Sequence, residues 1–303
     1  MPRLGIEDLP APEPTYRITA APPPTPGPRG PHWRLFESNG FSRGEDRKRL
    51  QLCVTSRSPL FSSRAARRLA EKLSGKRAPH TLASSRRFRR YRIRIIGAIW
   101  KLIAEGPWDH TRPGQVATIS LAPRSWEFTP EQLEYVRGEE LLARFRSWLV
   151  RAGAGSASGV LIACIHGEWV PTRDIFRVHV HGIATGEMIW FVDQLRKRDD
   201  LNPALDENIG LKKNPPRVVL NGKRKPLTDL PHVISYQFKA YWPSRWIGPV
   251  GDAGETSRRR RGGRIPEPFH TQLLLWHDRH RLQDITLLMN VRVGKQGLVP
   301  TQS

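Results

Sequence analysis

His179-Val180-His181 is the shortest segment of this 303-residue chain in which residue type and spacing together prescribe chemistry. It lies within Phe176–Ala184 (FRVHVHGIA), a β-branched run that reads as a strand. Strand side chains repeat every two residues, so both imidazoles leave one face. Two neutral imidazoles fixed in this way form a metal dyad. The preceding run Gly159–Ile165 (GVLIACI) reads as a neighbouring strand, joined through a turn holding Pro171. A hairpin folded there sets His166 opposite Arg177, on the face of His179 and near its level. Glu168 shares that parity but lies nearer the turn. His166 and Glu168 are the candidate third ligands, and a slip of one residue would put both on the wrong face. An arbitrary His-x-His is more often a pair of surface or core histidines. The strand context, His166 and Glu168, and the charge of the chain weigh against that here.

A second chemical group follows in Asp229–Trp242 (DLPHVISYQFKAYW), with a helix expected over Leu230–Trp242. Tyr236 and Lys239 are three apart and share a helical face, with His232 one turn earlier. A phenol with a pKa near ~10 is a weak nucleophile and needs electrostatic help to attack phosphate. A nearby ammonium and a divalent ion supply such help. Taken alone, Tyr236, Phe238, Tyr241 and Trp242 read as aromatics that pack.

These groups need a scaffold. Val116–Leu121 (VATISL) reads as a strand. Thr129-Pro130-Glu131-Gln132 then carries a Thr N-cap, Pro at the first helical position and Gln at the capping-box position. The helix that follows sets Leu133, Val136, Leu141, Phe145, Trp148 and Leu149 on one side and stops at Gly153. After the two hairpin strands, Thr185 caps a helix over residues 186–198. Arg217–Leu220 is a fourth strand ending at Asn221-Gly222, a turn signal. The order β-α-β-β-α-β-α begins with the split βαβ, or ferredoxin-like, arrangement. The expectation is an α+β fold whose antiparallel sheet has helices on one face and the other face open to host a site.

Charge divides the rest of the chain. There are 50 Lys+Arg against 28 Asp+Glu, a net of +22. Arg43 to Lys101 holds 18 basic and 3 acidic residues, net +15, whereas Gln115 to Val250 holds 18 against 14, net +4. Arg64–Leu73 and Phe88–Ala104 read as helices. Their nearly single-signed charge calls for a polyanion, most naturally nucleic-acid phosphate, against the blander reading of a solvated helical face. Arg86, Arg87, Arg89, Arg90, Arg92 and Arg94 are the candidate contacts, joined by Arg258, Arg259, Arg260 and Arg261 beside Gly262-Gly263. Met1 to Pro31 contains ten prolines. The expected organisation is a Pro-rich tail over 1–42, a basic helical DNA-binding segment over 43–112, a catalytic domain over 113–250, a basic linker over 251–264, and a C-terminal helix and tail over 265–303. The last part includes a helix over Gln272–Met289 and fraying from Gly294. Two cysteines, Cys53 and Cys164, exclude a disulfide scaffold and a CxxC zinc module. No run approaches 18 apolar residues and no secretory signal opens the chain, so a soluble cytoplasmic protein is expected.

A strand VATISL, then FRVHVHGIA, then a helix SYQFKAYW, in that order, resembles the three motifs of the HUH endonucleases. The likeness is strongest to the rolling-circle replication initiators of plasmids and phages, with relaxases and single-strand transposases as relatives. It covers roughly Gly114–Trp246. His179, Val180 and His181 match the metal-binding motif, and Tyr236 and Lys239 match the YxxK motif. The resemblance implies a Tyr236 attack on single-stranded DNA, leaving a 5′ phosphotyrosine link and a free 3′-OH. It implies a divalent ion, Mg²⁺ or Mn²⁺, on the histidines, and Lys239 stabilising developing charge. The substrate would be a single-stranded or supercoiled origin. Since the chain has no GxxxxGK[ST] helicase loop, unwinding and synthesis would fall to a host helicase and polymerase. Tyr241, five residues after Tyr236, does not fit a paired-tyrosine spacing, so a single-tyrosine enzyme is expected, with Tyr241 as the weaker candidate nucleophile.

Other His-x-His enzymes fit less well. The HxHxDH pattern of metallo-β-lactamases fails at Ile183 and Ala184, and an amidohydrolase barrel needs more than the 122 residues after His181. Two further readings compete: a non-catalytic nucleic-acid-binding protein on the same scaffold, and a metal-dependent phosphoester hydrolase without a protein-linked intermediate.

Overall fold

The computed structural model describes residues 4–13, 15, 37–75, 77, 79–205, 216–227, 230–238, 242–245 and 263–301. Three helices come first: α1 (Asn39–Thr55), α2 (Ser63–Ser74) and α3 (Ser85–Ala104). Each opens on a serine N-cap, Ser38, Ser62 or Ser84, whose hydroxyl accepts from the backbone amide three residues on. One otherwise unpaired amide per helix is thereby satisfied. There follow β1 (Val116–Leu121), β2 (Glu127–Phe128), α4 (Pro130–Leu133), α5 (Gly138–Arg151), β3 (Leu161–Val170), β4 (Ile175–Thr185), α6 (Met188–Gln194), β5 (Val218–Asn221) and α7 (Leu230–Gln237). The chain closes with α8 (Phe269–Arg279), β6 (Thr286–Met289), β7 (Val291–Gly294) and β8 (Gly297–Pro300).

The fold is α+β around an antiparallel sheet ordered β5-β1-β4-β3-β6, with β2 also pairing β4. The histidine strand β4 is therefore central. Numbering β1, β3, β4 and β5 as first to fourth gives a spatial order of 4-1-3-2. The β3–β4 hairpin is the longest pairing, running from Leu161↔Ala184 to Val170↔Ile175. Both strands are buried almost throughout, so the sheet is covered on both faces. This corrects the expected open face: α7 packs against β1 and β4 on one side of the hairpin's length.

Several element boundaries differ from expectation. The Thr129 capping box forms with Gln132, but the helix it starts ends at Leu133 and a new one begins at Gly138. The Gly138 amide donates to His280 Nε2 at 3.0 Å, and a Cβ there would lie 2.7 Å from the Asp284 carbonyl oxygen, so this junction is pressed against the chain after α8. Thr185 ends β4, and its hydroxyl accepts from the Val160 amide instead of capping α6, whose N-cap is Glu187. The expected helix over Gln272–Met289 stops at Arg279, and Thr286–Met289 joins the sheet beside β3. Beyond Gly294 the chain forms the hairpin strand β8 and does not fray there.

One core of buried side chains runs from Ile6 and Leu9 through α3, the sheet, α5 and α7 to Leu298. Part of the expected N-terminal tail is thus core. The basic helix α3 belongs to the same core, burying Phe88, Ile95, Ile96, Ile99 and Ile103. A smaller cluster joins Cys53 of α1, Leu69 and Leu73 of α2, and Leu274 of α8. No helix among the described residues is long and apolar enough to cross a membrane.

Candidate metal centre

His179 pairs directly with His166 across the hairpin, and Glu168 with Arg177. The register is therefore displaced by two residues from the one expected. An even displacement keeps parity, so His166, His179 and His181 still share a face. Each offers a ring nitrogen, and the three nitrogens lie within 4.8 Å of one another, the one such cluster found among the described residues. His166 Nδ1 is 3.1 Å from His179 Nε2. Two imidazole nitrogens bound to one ion at about 2.1 Å and a right angle would be about 3.0 Å apart, so this spacing fits coordination.

The outer partners orient the rings. Gln237 Oε1 lies 3.0 Å from His181 Nδ1, and the Arg177 carbonyl oxygen 3.3 Å from His179 Nδ1. Both oxygens only accept, so each histidine carries its proton on Nδ1 and keeps the Nε2 lone pair for a cation. The carbonyl in the first case belongs to α7, the tyrosine helix. Leu230, Ile234 and Gln237 are all buried at helical spacing, which delivers the Gln237 amide to the sheet. His166 is flanked by the Trp242 indole at 6.3 Å between ring centroids. Gly167 makes that approach feasible: a Cβ there would sit 2.5 Å from Trp242 Cε3.

Glu168 is not a ligand in this arrangement, which corrects one of the two expected candidates. It is buried in ion pairs with Arg177, whose Nε donates at 2.9 Å, and with Arg245, whose Nε lies 3.2 Å away. The donor set is thus three imidazoles. Cys164, opposite His181, stays a thiol, its pKa pushed up to about 12 by burial.

Tyr236 is about half exposed on α7. At 100° per residue it lies a quarter-turn from Gln237, on the flank of the face that docks on the sheet. Lys239 and Tyr241 lie outside the described residues. His232 is partly buried one turn before Tyr236, with its backbone carbonyl accepting from the Ser235 hydroxyl.

The basic residues divide. Arg86 pairs with Asp46, Arg89 donates to the Glu37 carbonyl and Asn39, and Arg92 pairs with Glu37. Arg92 also donates to the Ser235 carbonyl of α7 at 3.3 Å. These three have partners within the protein that hold the helices together. Arg87 lies over the Tyr91 ring. Arg90 is exposed and Arg94 half-buried. Arg258–Arg261 lie outside the described residues.

Sequence reasoning missed Gln237, although a lone amide on the buried stripe of α7 was the available signal. It also missed Arg177 and Arg245 as partners of Glu168, because the cross-strand register was not known. The chain matches no protein-family model, no curated protein and no solved structure.

Proposed function

We propose that this chain is an HUH-type strand transferase that nicks and rejoins single-stranded DNA through Tyr236, on a ferredoxin-like sheet, to initiate rolling-circle replication. One observation carries the reading: a three-histidine cluster, two from the central strand β4 and one from its hairpin partner β3, is tied by Gln237 to the helix that bears Tyr236 in the adjacent position. The 4-1-3-2 strand order supports the ferredoxin-like assignment.

His166, His179 and His181 would hold a divalent ion. An all-imidazole set suits Mn²⁺ and later first-row ions better than Mg²⁺, so Mn²⁺ is the better match of the two ions expected. When bound, the ion supplies Lewis-acid polarisation of a non-bridging phosphate oxygen. The Tyr236 oxygen would give up its phenolic proton and form a bond to phosphorus as the bond to the 3′ oxygen breaks and that oxygen takes up a proton, leaving a 5′ phosphotyrosine and a 3′-OH. Rejoining reverses both changes. Gln237 fixes the His181 tautomer, and the Arg92 contact to Ser235 braces α7 from behind. Lys239, three residues on, is assigned to charge stabilisation on the sequence motif alone.

The test is a denaturing gel of protein incubated with labelled single-stranded oligonucleotides and Mn²⁺. A slower band that resists boiling in detergent, disappears with chelator and is absent in Tyr236→Phe supports the reading. Cutting without a linked band would instead favour a metal-dependent phosphoester hydrolase, for which the same three histidines suffice. Binding without cutting, unchanged in chelator, would favour a non-catalytic nucleic-acid-binding protein.

A further inference from the structure

Two buried carboxylates stand at the turn end of the β3–β4 hairpin, and each grips two guanidiniums. Glu168 holds Arg177 and Arg245; Glu127 holds Arg173 and Arg217. Glu127 and Glu168 both pair with Arg177 in the sheet register, one from each side, so all three leave one face. Arg177 precedes His179 by two residues, so that face is the one that carries the histidines. Both carboxylate side chains are under 10% exposed.

In each group one arginine is inward and one outward. Arg217 and Arg177 are 8% and 21% exposed, whereas Arg173 and Arg245 are each 42% exposed. Four cations against two anions leave two positive charges in the cluster. The inward arginine of each group compensates its buried carboxylate. The outward one is held by the same carboxylate yet meets solvent, so its side chain is ordered before any ligand arrives.

We infer that Arg173 and Arg245 form a pre-organised grip for the phosphates next to the one held at the histidines. The ligand is the backbone of single-stranded DNA, and the inference rests on the strand-transfer reading above. Arg177, which shares Glu168 with Arg245, is about 7 Å from His179 along the strand, and Arg173 lies four residues further, in the turn. Successive phosphates of an extended strand, spaced more widely than the ~3.4 Å stacked rise, span that step. Planar guanidiniums suit phosphate oxygens because two N–H groups can donate in parallel.

The test is fluorescence anisotropy of a labelled single-stranded oligonucleotide titrated with the whole protein in chelator, across a range of salt. The double variant Arg173→Gln/Arg245→Gln keeps both inward ion pairs, and its thermal melt should match wild type. Its affinity should fall at least tenfold, with a log–log salt slope shallower by about 1.4, or about 0.7 per phosphate contact. A control, Arg137→Gln/Arg281→Gln, removes two exposed arginines elsewhere and should change affinity no more than twofold. Equal losses in the two double variants, no loss in the first, or no binding by wild type would overturn the grip. Linked-band formation with Mn²⁺ is scored separately. A weakened grip variant in a protein that never forms the band would refute strand transfer and leave the phosphate grip standing. A band with unchanged chelated binding would refute the grip alone.

Discussion

At the scale of single residues, a hydrogen-bonded shell sets what the three imidazoles can do. His166→Ala, His179→Ala and His181→Ala should each abolish stoichiometric Mn²⁺ binding in calorimetry. Glu168→Gln should leave it within threefold, since that carboxylate is spent on arginines. Gln237→Ala should weaken Mn²⁺ binding about 10- to 100-fold, the usual cost of losing an outer partner, and Gln237→Glu should recover most of it. The triad was legible because a strand alternates with period two. The register was displaced by two, yet His166 survived, since only an odd slip changes face. Glu168 was misread for the same reason: its position opposite Arg177 decides its partner, and residue type does not reveal that. Gln237 depends on the rotation of a helix, which spacing alone did not fix.

At the scale of elements, α7 and α8 bring the outer groups to the sheet. Trp242 lies between His166 and α8, with Trp276 at 5.2 Å and His277 at 5.5 Å from it. Gly167→Ala would push a methyl into that indole and should cost about 1–3 kcal/mol in denaturant unfolding. On α8, burial first, and then the Arg49 charge, push His270 and His277 down to about 3. The unfolded chain takes up those protons near pH 6.5 and the native one does not until about pH 3. The stability they contribute is complete above pH 6.5 and is lost as pH falls toward 3. Urea midpoints should therefore drop steadily from pH 6.5 to 4, and His270→Gln/His277→Gln should flatten that slope. Most strands and helices were readable from caps and periodicity, as the Thr129 capping box and the apolar spacing of Phe88–Ala104 illustrate. The end of α8 was not, because Thr286–Met289 is a short apolar run that suits either period.

At the scale of the whole molecule, the basic helix α3 and the sheet share a core, so much of the charge is built into the same body as the three histidines. The arginines of α3 fall into internally paired and exposed groups that sequence could not separate. Arg92 is buried against Glu37 and Ser235, so Arg92→Ala should destabilise the fold by about 3–5 kcal/mol, read by chemical denaturation. Exposed Arg90 should behave oppositely: Arg90→Gln leaves the melt unchanged and weakens single-strand binding two- to fivefold at low salt. The net charge of +22 makes a polyanionic partner an expectation from composition alone. Which cations were spent internally was decided by acidic partners distant in sequence, such as Asp46 for Arg86.

The most direct measurement of the central claim is the position of the covalent bond. Trypsin releases Lys225–Lys239, which contains Tyr236, separately from Ala240–Arg245, which contains Tyr241. After reaction with single-stranded DNA and Mn²⁺ and nuclease trimming, mass spectrometry should find the nucleotide mass on Lys225–Lys239 and lose it with chelator. Nucleotide mass on Ala240–Arg245, or on neither peptide while the DNA is cut, would contradict Tyr236 as the nucleophile paired with the histidine centre.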